Sequence, residues 1–415
     1  MSVTRAGKAH WRWIMTVLGV VSIAHLVPGA AGLTSSSTSS AALRLSVPIL
    51  LAGLGGLFSE RAGIVNIGLE GMMILGTWLA AWGGLHFGPW WGVVLGIAGG
   101  ALGGLVHATV TVRLRVDHIV SGVAVNLLAA GVVRFLSAIA YEDGSAGGGI
   151  TQSPRVPGAI GKLTLPFLAG GKLFGRPSAD LLGWLERTGI PVVGDGAGVL
   201  RGLVSGVSWL AVIAVGLVPL SAYLLWRTSF GLRLRFGGEH PWAAHSLGVD
   251  VYRVKTGAVL ISGALAGMGG AVLVFEGAGI YREGQTGGRG FIGLAALIFG
   301  NWRPAGVALG AVLFGAANAL ALRDERAVHA LLLLVGLALA LLGAGALIRR
   351  QAGRAAGTLV AAAGFLLCFA ATDTIPRQLL STLPYVVTLA VLAFAPRRLR
   401  PPAFNGVRFR PAQLE

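Results

Sequence analysis

Charge is scarce in this chain. Only 12% of its 415 residues are Asp, Glu, Lys or Arg, where a soluble domain carries about 25%. Lysines number four: Lys8, Lys162, Lys172 and Lys255. The single cysteine, Cys368, cannot form an intrachain disulfide, and its place inside an apolar run points to packing. Catalytic groups are missing too. Gly161-Lys162 and Gly171-Lys172 are each followed by Leu, so there is no phosphate-cradling GxxxxGK[ST] loop. No HExxH or CxxC occurs, and His240 and His245 lie five apart across Pro241, a poor spacing for one metal on one helix face. These absences argue against a soluble enzyme, a disulfide scaffold, a metal site and ATP hydrolysis by this chain itself.

What is abundant is apolar and small. Apolar residues make up 54% and glycines number 66, with a mean hydropathy of +0.76. That is more than twice the usual glycine share of about 7%. So much glycine is costly in a soluble helix, whereas membrane helices use small residues to approach closely. The net charge of +17 comes from 29 arginines and the four lysines, set mainly between apolar runs. Cations so placed suit loops facing the cytoplasm and anionic lipid, not nucleic acid.

About 20 apolar residues cross a bilayer as a helix. Apolar runs almost free of charge at 13–33, 45–58, 64–85, 90–112, 119–140, 209–226, 256–275, 291–300, 305–322, 327–348, 355–372 and 379–395 predict twelve segments in an all-α polytopic membrane protein. The run 291–300 is too short to span and reads as a half-helix. The first run is read as a retained anchor, not a signal peptide. With a cytoplasmic N-terminus, 20 of the 33 cations fall inside and 12 outside, half of the latter in one long loop, with Arg134 inside a span. The loop 141–208 is then external and too rich in Gly and Pro for a conventional domain. Its stretch SADLLGWLERT (178–188) predicts an interfacial amphipathic helix with Leu181, Leu182, Trp184 and Leu185 on one side. Residues 34–40 read as a Ser/Thr-rich connector.

Four features carry functional information. The segment SERAGIVNIGLEGMM (59–73) places Glu60, Arg61, Asn66 and Glu70 beside membrane residues, and a four-residue spacing predicts Asn66 and Glu70 on one helix face. A carboxylate there faces a pathway or partner, or bonds Asn66 in helix packing. The basic stretch 227–255 holds a short amphipathic helix at 239–247, with Pro241 early and Gly248 at its stop, an arrangement suited to docking a cytoplasmic partner. The external Gly-rich turn EGAGIYREGQTGGRGF (276–291) leads into the half-helix, a common design at transport sites. Finally, Gly92, Gly96, Gly100 and Gly104 form a four-residue ladder, repeated by Gly263 and Gly267 and by Gly306 and Gly310. These read as helix-packing seams.

In this order the segments resemble the permease subunits of ABC importers for branched-chain amino acids, simple sugars and nucleosides, the nucleoside type above all. The resemblance rests on GLFSERAGIVNIGLEGMM (56–73), DHIVSGVAVNLLA (117–129), FGLRLRFGGEHPWAAHSLGVDVYRVK (230–255), ISGALAGMGGA (261–271), GGRGFIGLAALIFGNWRP (287–304) and LPYVVTLAVLAF (383–394). It implies a ten-helix type II ABC importer permease core (1–322 and 379–396) in a prokaryotic plasma membrane, with both termini cytoplasmic and a basic cytoplasmic tail at 397–415. It implies a path shared with a second related permease, cytoplasmic ATPases that use ATP and Mg, a substrate-binding protein or lipoprotein outside, and no cofactor on this chain. Stretch 227–255 becomes the coupling loop, centred on Gly238, Glu239, Ala243, Ala244 and Gly248. Asn66, Glu70, Asn126 and Phe291 become the residues expected to line the path, for a nucleoside or equally a sugar. One departure is the region 323–378, where two added apolar segments form an inserted two-helix hairpin. An ion-coupled secondary transporter is the rival class, but it needs more intramembrane charge than Glu70 provides.

Overall fold

The structure, a computed structural model, describes residues 31–141, 148–173, 176–190, 192–323, 325–348, 350–372, 380, 382 and 399–409. The runs expected at 13–33 and 379–395 lie almost wholly outside the described residues. The helices are α1 (Ala31–Thr34), α2 (Ser36–Arg61), α3 (Leu69–Phe87), α4 (Pro89–Ala108), α5 (His118–Tyr141), α6 (Leu181–Arg187), α7 (Val193–Val204), α8 (Trp209–Arg227), α9 (Ser229–Glu239), α10 (Pro241–Ser246), α11 (Val251–Phe275), α12 (Arg289–Phe299), α13 (Pro304–Arg323), α14 (Glu325–Ile348) and α15 (Ala352–Ala371). Among the described residues seven helices are long and apolar enough to cross a membrane: Ser36–Arg61, Pro89–Arg113, His118–Tyr141, Trp209–Arg227, Val251–Phe275, Pro304–Leu322 and Val328–Ile348. The expected half-helix is α12, about 16 Å long against a hydrocarbon core of about 30 Å.

The chain divides into two compact units, of which the larger comprises Arg44–Lys162, Ser208–Gly315 and Thr388–Glu415. Its axis is α2, whose Val47, Ile49, Leu51, Leu54 and Leu57 are completely buried. Glycine sets the approach of its neighbours. A Cβ at Gly55 would stand 2.6 Å from the Ser262 carbonyl oxygen of α11, and one at Gly53 would meet the Gly293 carbonyl of α12 at 3.0 Å. The ladders expected on α4 and α11 face each other: a Cβ at Gly100 would overlap the Gly263 carbonyl and lie 2.5 Å from Gly267 Cα. On α5, Ser121, Val125, Ala129, Val133 and Ser137 are buried at four-residue steps. The opposite face exposes Leu127, Phe135 and Ile139, as a lipid-facing helix does.

Two interruptions shape this unit. Between α2 and α3, residues 62–68 are not helical, and Gly63 takes a φ of +84°. Asn66 lies in this link, so the expectation that Asn66 and Glu70 share a helix face is corrected: the helix starts at Leu69, after the left-handed turn. Between α12 and α13, Asn301 and Trp302 both adopt left-handed φ values, +50° and +53°. Pro304 then opens α13, where its missing N–H is harmless. Non-glycine residues pay steric strain there, so neighbours must hold the turn.

The second unit comprises Met1–Leu43, Leu163–Val207 and Ala316–Val387. Here the Ser/Thr-rich stretch read as a connector is instead α1 and the opening turns of α2. Its backbone is held from the loop side: Glu186 Oε1 accepts from Ser36 N at 3.0 Å and Asp195 Oδ1 from Thr34 Oγ1 at 2.6 Å. Arg201 ties Asp180 and Glu186 together at 2.6 and 3.0 Å. The loop carries more order than its composition suggested, adding α7 and a two-residue antiparallel pairing of Lys172–Leu173 with Arg176–Pro177. The amphipathic helix is α6, shorter than expected, with Leu182 buried and Leu181 and Trp184 exposed. Helices α14 and α15 lie side by side: a Cβ at Gly336 would touch Leu366, and the His329 and Phe369 rings stack at 4.4 Å. Cys368, expected to be packed, is exposed on α15.

Candidate functional site

The first site forms where α12 begins. A helix start leaves backbone N–H groups without partners, and those of α12 are met by a carboxylate. Glu70, in the first turn of α3 and 7% exposed, accepts from Gly288 N at 2.9 Å and Gly290 N at 2.7 Å. Negative charge at a helix N-terminus is also favoured by the helix dipole. Gly290 is required by contact, since a Cβ there would stand 2.6 Å from the Glu70 backbone. Asn126 closes the same region from α5, accepting from Gly71 N at 2.7 Å and donating to the Ile67 carbonyl at 3.1 Å. Asn66 donates to Ser262 Oγ at 2.9 Å, while its buried Oδ1 has no partner among the described residues. Thus Asn66 lies in the α2–α3 link, Asn126 bonds into it at Ile67, Glu70 caps the start of α12, and Phe291 is 46% exposed.

Beside this cluster lies a cavity of about 500 Å³, with Arg44, Leu45, Pro48, Glu276, Gln285 and Arg289 in its wall. An apolar wall with a few polar groups is the usual makeup of a small-molecule site. Burial pushes the Glu276 carboxyl up, opposed by its hydrogen bond from Ser208 and by the charges of Arg44 and Lys162. Gln285 Oε1 accepts from Arg282 N at 3.1 Å, while its buried Nε2 has no partner among the described residues. The 276–289 loop is pinned in turn by bonds from Ser153 N to Tyr281 O and Val156 N to Gly279 O, at 3.0 and 2.8 Å. Sequence reading reached the glycine-rich turn but missed Arg44 and Glu276. Their signal was a charge placed directly at the end of an apolar run.

The second site is built on the 227–255 stretch. Thr228 caps α9 by accepting from Gly231 N at 3.1 Å. The chain then turns at His240 into α10, with Pro241 at its first position. Gly248, at φ +81°, ends this turn before Asp250 caps α11. The short helix and stop expected from sequence are therefore present. Ala244 points inward, fully buried, and Ala243 is exposed. Gly238 lies so close to the Arg61 carbonyl that a Cβ would overlap it. Glu239 pairs with Arg61 at 3.8 Å, and Arg61 donates to the Trp302 carbonyl at 2.6 Å. Trp302 Nε1 donates to Glu60 Oε2 at 2.6 Å, holding the left-handed turn. Gly238, Glu239, both broken turns and the end of α2 thus meet in one cluster. Lys255, one helical turn into α11, is 2% exposed with its Nζ unpartnered among the described residues.

Seven helices long and apolar enough to cross a membrane, with helix breaks beside a cavity in the larger unit, define a multi-pass membrane protein of the solute-permease class. The family described as branched-chain amino acid transport system / permease component matches residues 38–339, and the chain belongs to it. Among its relatives, the guanosine ABC transporter permease protein NupQ of Bacillus subtilis is 36% identical, over 68% of this chain and 81% of its own. The nucleoside ABC transporter permease protein NupC of Lactococcus lactis is 37% identical over 66% of this chain and 79% of its own. TsgC13 of Haloferax volcanii, named provisionally as a glucose ABC transporter permease, is 33% identical over 88% of this chain and 92% of its own. No solved structure matches the chain.

Proposed function

We propose that this chain is the transmembrane permease subunit of an ATP-driven importer for nucleosides, working with a second related permease, cytoplasmic ATPases and an extracytoplasmic binding protein or lipoprotein. ATP and Mg are used by the ATPase; this chain supplies the path and the lever. The observation that carries the reading is the α10 elbow. It is a short helix entered through Gly238 and Glu239 at the end of α9, which meet Arg61 and Gly63 at the end of α2, and Arg61 in turn donates to the Trp302 carbonyl of the α12–α13 turn. A partner that binds the elbow differently in two states shifts the balance between two arrangements of those turns.

In this reading α10 and the basic residues around it face the cytoplasm of a prokaryotic cell, and the cavity faces out. Gly238, Glu239, Ala243, Ala244 and Gly248 form the coupling element. Phe291 and the cavity wall receive the solute, while Asn66, Glu70 and Asn126 shape the path by holding its breaks. Helices α14 and α15 form an inserted hairpin. Substrate class leans on the nucleoside-named relatives. A sugar is the second reading, favoured by the longer coverage of the glucose-named one.

The test is uptake of labelled nucleosides and labelled simple sugars by cells with and without this gene. ATP-dependent loss of nucleoside uptake alone is expected. Loss of sugar uptake instead would keep the architecture and change the solute. No change in either, with the partner genes expressed, would remove the importer role.

A further inference from the structure

The C-terminal stretch was read only as a basic tail, yet residues 399–409 are built into the coupling end. Arg400 N donates to Asn301 Oδ1 at 2.8 Å, reaching the strained α12–α13 turn. Ala403 N donates to Glu239 Oε2 at 3.1 Å and Phe404 N to the Gly238 carbonyl at 3.0 Å, both on the elbow. Asn405 Nδ2 donates to Glu60 Oε2 at 3.0 Å, the same oxygen that receives Trp302 Nε1. Gly406 N donates to the Gly63 carbonyl at 3.2 Å, in the α2–α3 link. Two aromatic anchors finish the attachment. The Phe404 ring meets Trp242 edge-on at 4.9 Å, and Phe409 is buried against Ala244 and Val251 with Tyr252 at 5.5 Å.

A tail that merely tidied a terminus would bond to whatever surface lay beside it. This one spends its backbone donors on three interrupted segments: the elbow at 238–239, the link at 62–68 and the turn at 300–303. Pro401 and Pro402 add stiffness, because each ring fixes its own φ and restricts the residue before it. Coupling between sites needs a contiguous set of contacts whose members move together. A displaced elbow would pull on residues 403–404, and the next residue is bonded to the carboxylate that holds Trp302.

We propose that residues 400–409 are a positioning strap of the coupling apparatus, joining the α10 elbow to both broken turns and carrying its displacement to them. The proposal rests on the importer reading above. It makes Phe404 and Asn405 positioning residues, which touch neither solute nor nucleotide.

The experiment uses the complete importer reconstituted in vesicles, with full-length permease, and reads solute imported per ATP hydrolysed. Phe404→Ala and Asn405→Ala are each expected to assemble, judged by co-purification of the ATPase, to keep hydrolysing ATP, and to lower the ratio about tenfold. Phe404→Tyr, which keeps the ring contact with Trp242, is expected to restore it. An unchanged ratio in both alanine variants, with wild type importing, overturns the strap and leaves the permease reading standing. Loss of assembly in both also overturns it, since the segment would then serve folding alone. A wild-type complex that hydrolyses ATP without importing solute overturns both readings.

Discussion

The carboxylate of Glu70 holds the backbone N–H of Gly290 at 2.7 Å across 220 positions of sequence. Its other oxygen takes Gly288 N, so one side chain satisfies the start of an 11-residue helix, about half the length needed to cross a membrane. Such a group binds two parts of the fold together, and its removal is felt by both.

Glu70→Ala strands two N–H donors, that of Gly290 buried and that of Gly288 half-buried. It is expected to lower the unfolding free energy by about 2 kcal/mol or more, a charged acceptor being worth about 1.5–3 kcal/mol per bond. Glu70→Gln keeps an acceptor oxygen for one of the two bonds. It should assemble normally and import more slowly, as read by thermal unfolding of the purified protein beside an uptake assay. Uptake that falls only in proportion to a loss of assembled protein would make Glu70 a packing residue only.

Gly100→Leu puts a branched side chain where even a Cβ overlaps the Gly263 carbonyl. Overpacking of this kind costs about 1–3 kcal/mol or more, and the α4–α11 seam has backbone on its far side and cannot yield. Folded yield in membranes is expected to fall sharply, whereas Gly131→Leu, on a residue with open space around it, should be tolerated. Equal yields would show that the ladder is not a seam.

Ala243→Trp and Glu239→Trp enlarge the coupling element on its accessible side. Membrane insertion should be unaffected, and import should drop with ATP hydrolysis persisting or falling. Transport at the wild-type rate would mean that the ATPase docks elsewhere.

The loop-side anchor of α2 should loosen in acid. Burial acts to raise the Glu186 carboxyl, but hydrogen bonds from Ser36 and Arg201 outweigh it and hold the group below its ordinary value of 4.5. A carboxyl depressed on folding contributes stability above its unfolded pKa, and that contribution disappears as pH falls below about 4.5 through the folded value. Hydrogen exchange in α7, corrected for the intrinsic rate, should therefore show constant protection from pH 8 to 5 and a decline below that. Flat protection down to pH 3, or a decline between pH 8 and 5, would remove Glu186 as the anchor.

Much of this architecture was legible because membrane helices announce themselves. Seven of the long apolar runs, the short run at 291–300 and the glycine spacings on α4 and α11 follow from one-dimensional patterns and reappear as helices and seams among the described residues. The elbow at α10 was readable for a similar reason, since Pro241 and Gly248 punctuate the chain locally. Asn66 was misplaced because periodicity assumes an unbroken helix, and the break at Gly63 is sustained by groups from elsewhere, such as Gly406 donating to its carbonyl. The 34–40 stretch was misread by composition: serines open a helix here because Glu186 receives the Ser36 N–H from the far loop.

By itself the sequence determined that this protein lives in a bilayer, where most of its long helices run, and where one helix would be too short to span, because hydropathy, helix propensity and glycine or proline punctuation act on neighbouring residues. Only the tertiary structure decided what each polar group does. Glu70 caps α12, Glu60 joins Trp302 to Asn405, and the tail clasps the elbow. Those outcomes depend on buried donors and acceptors finding partners hundreds of residues away, where low dielectric makes an unmet hydrogen bond costly.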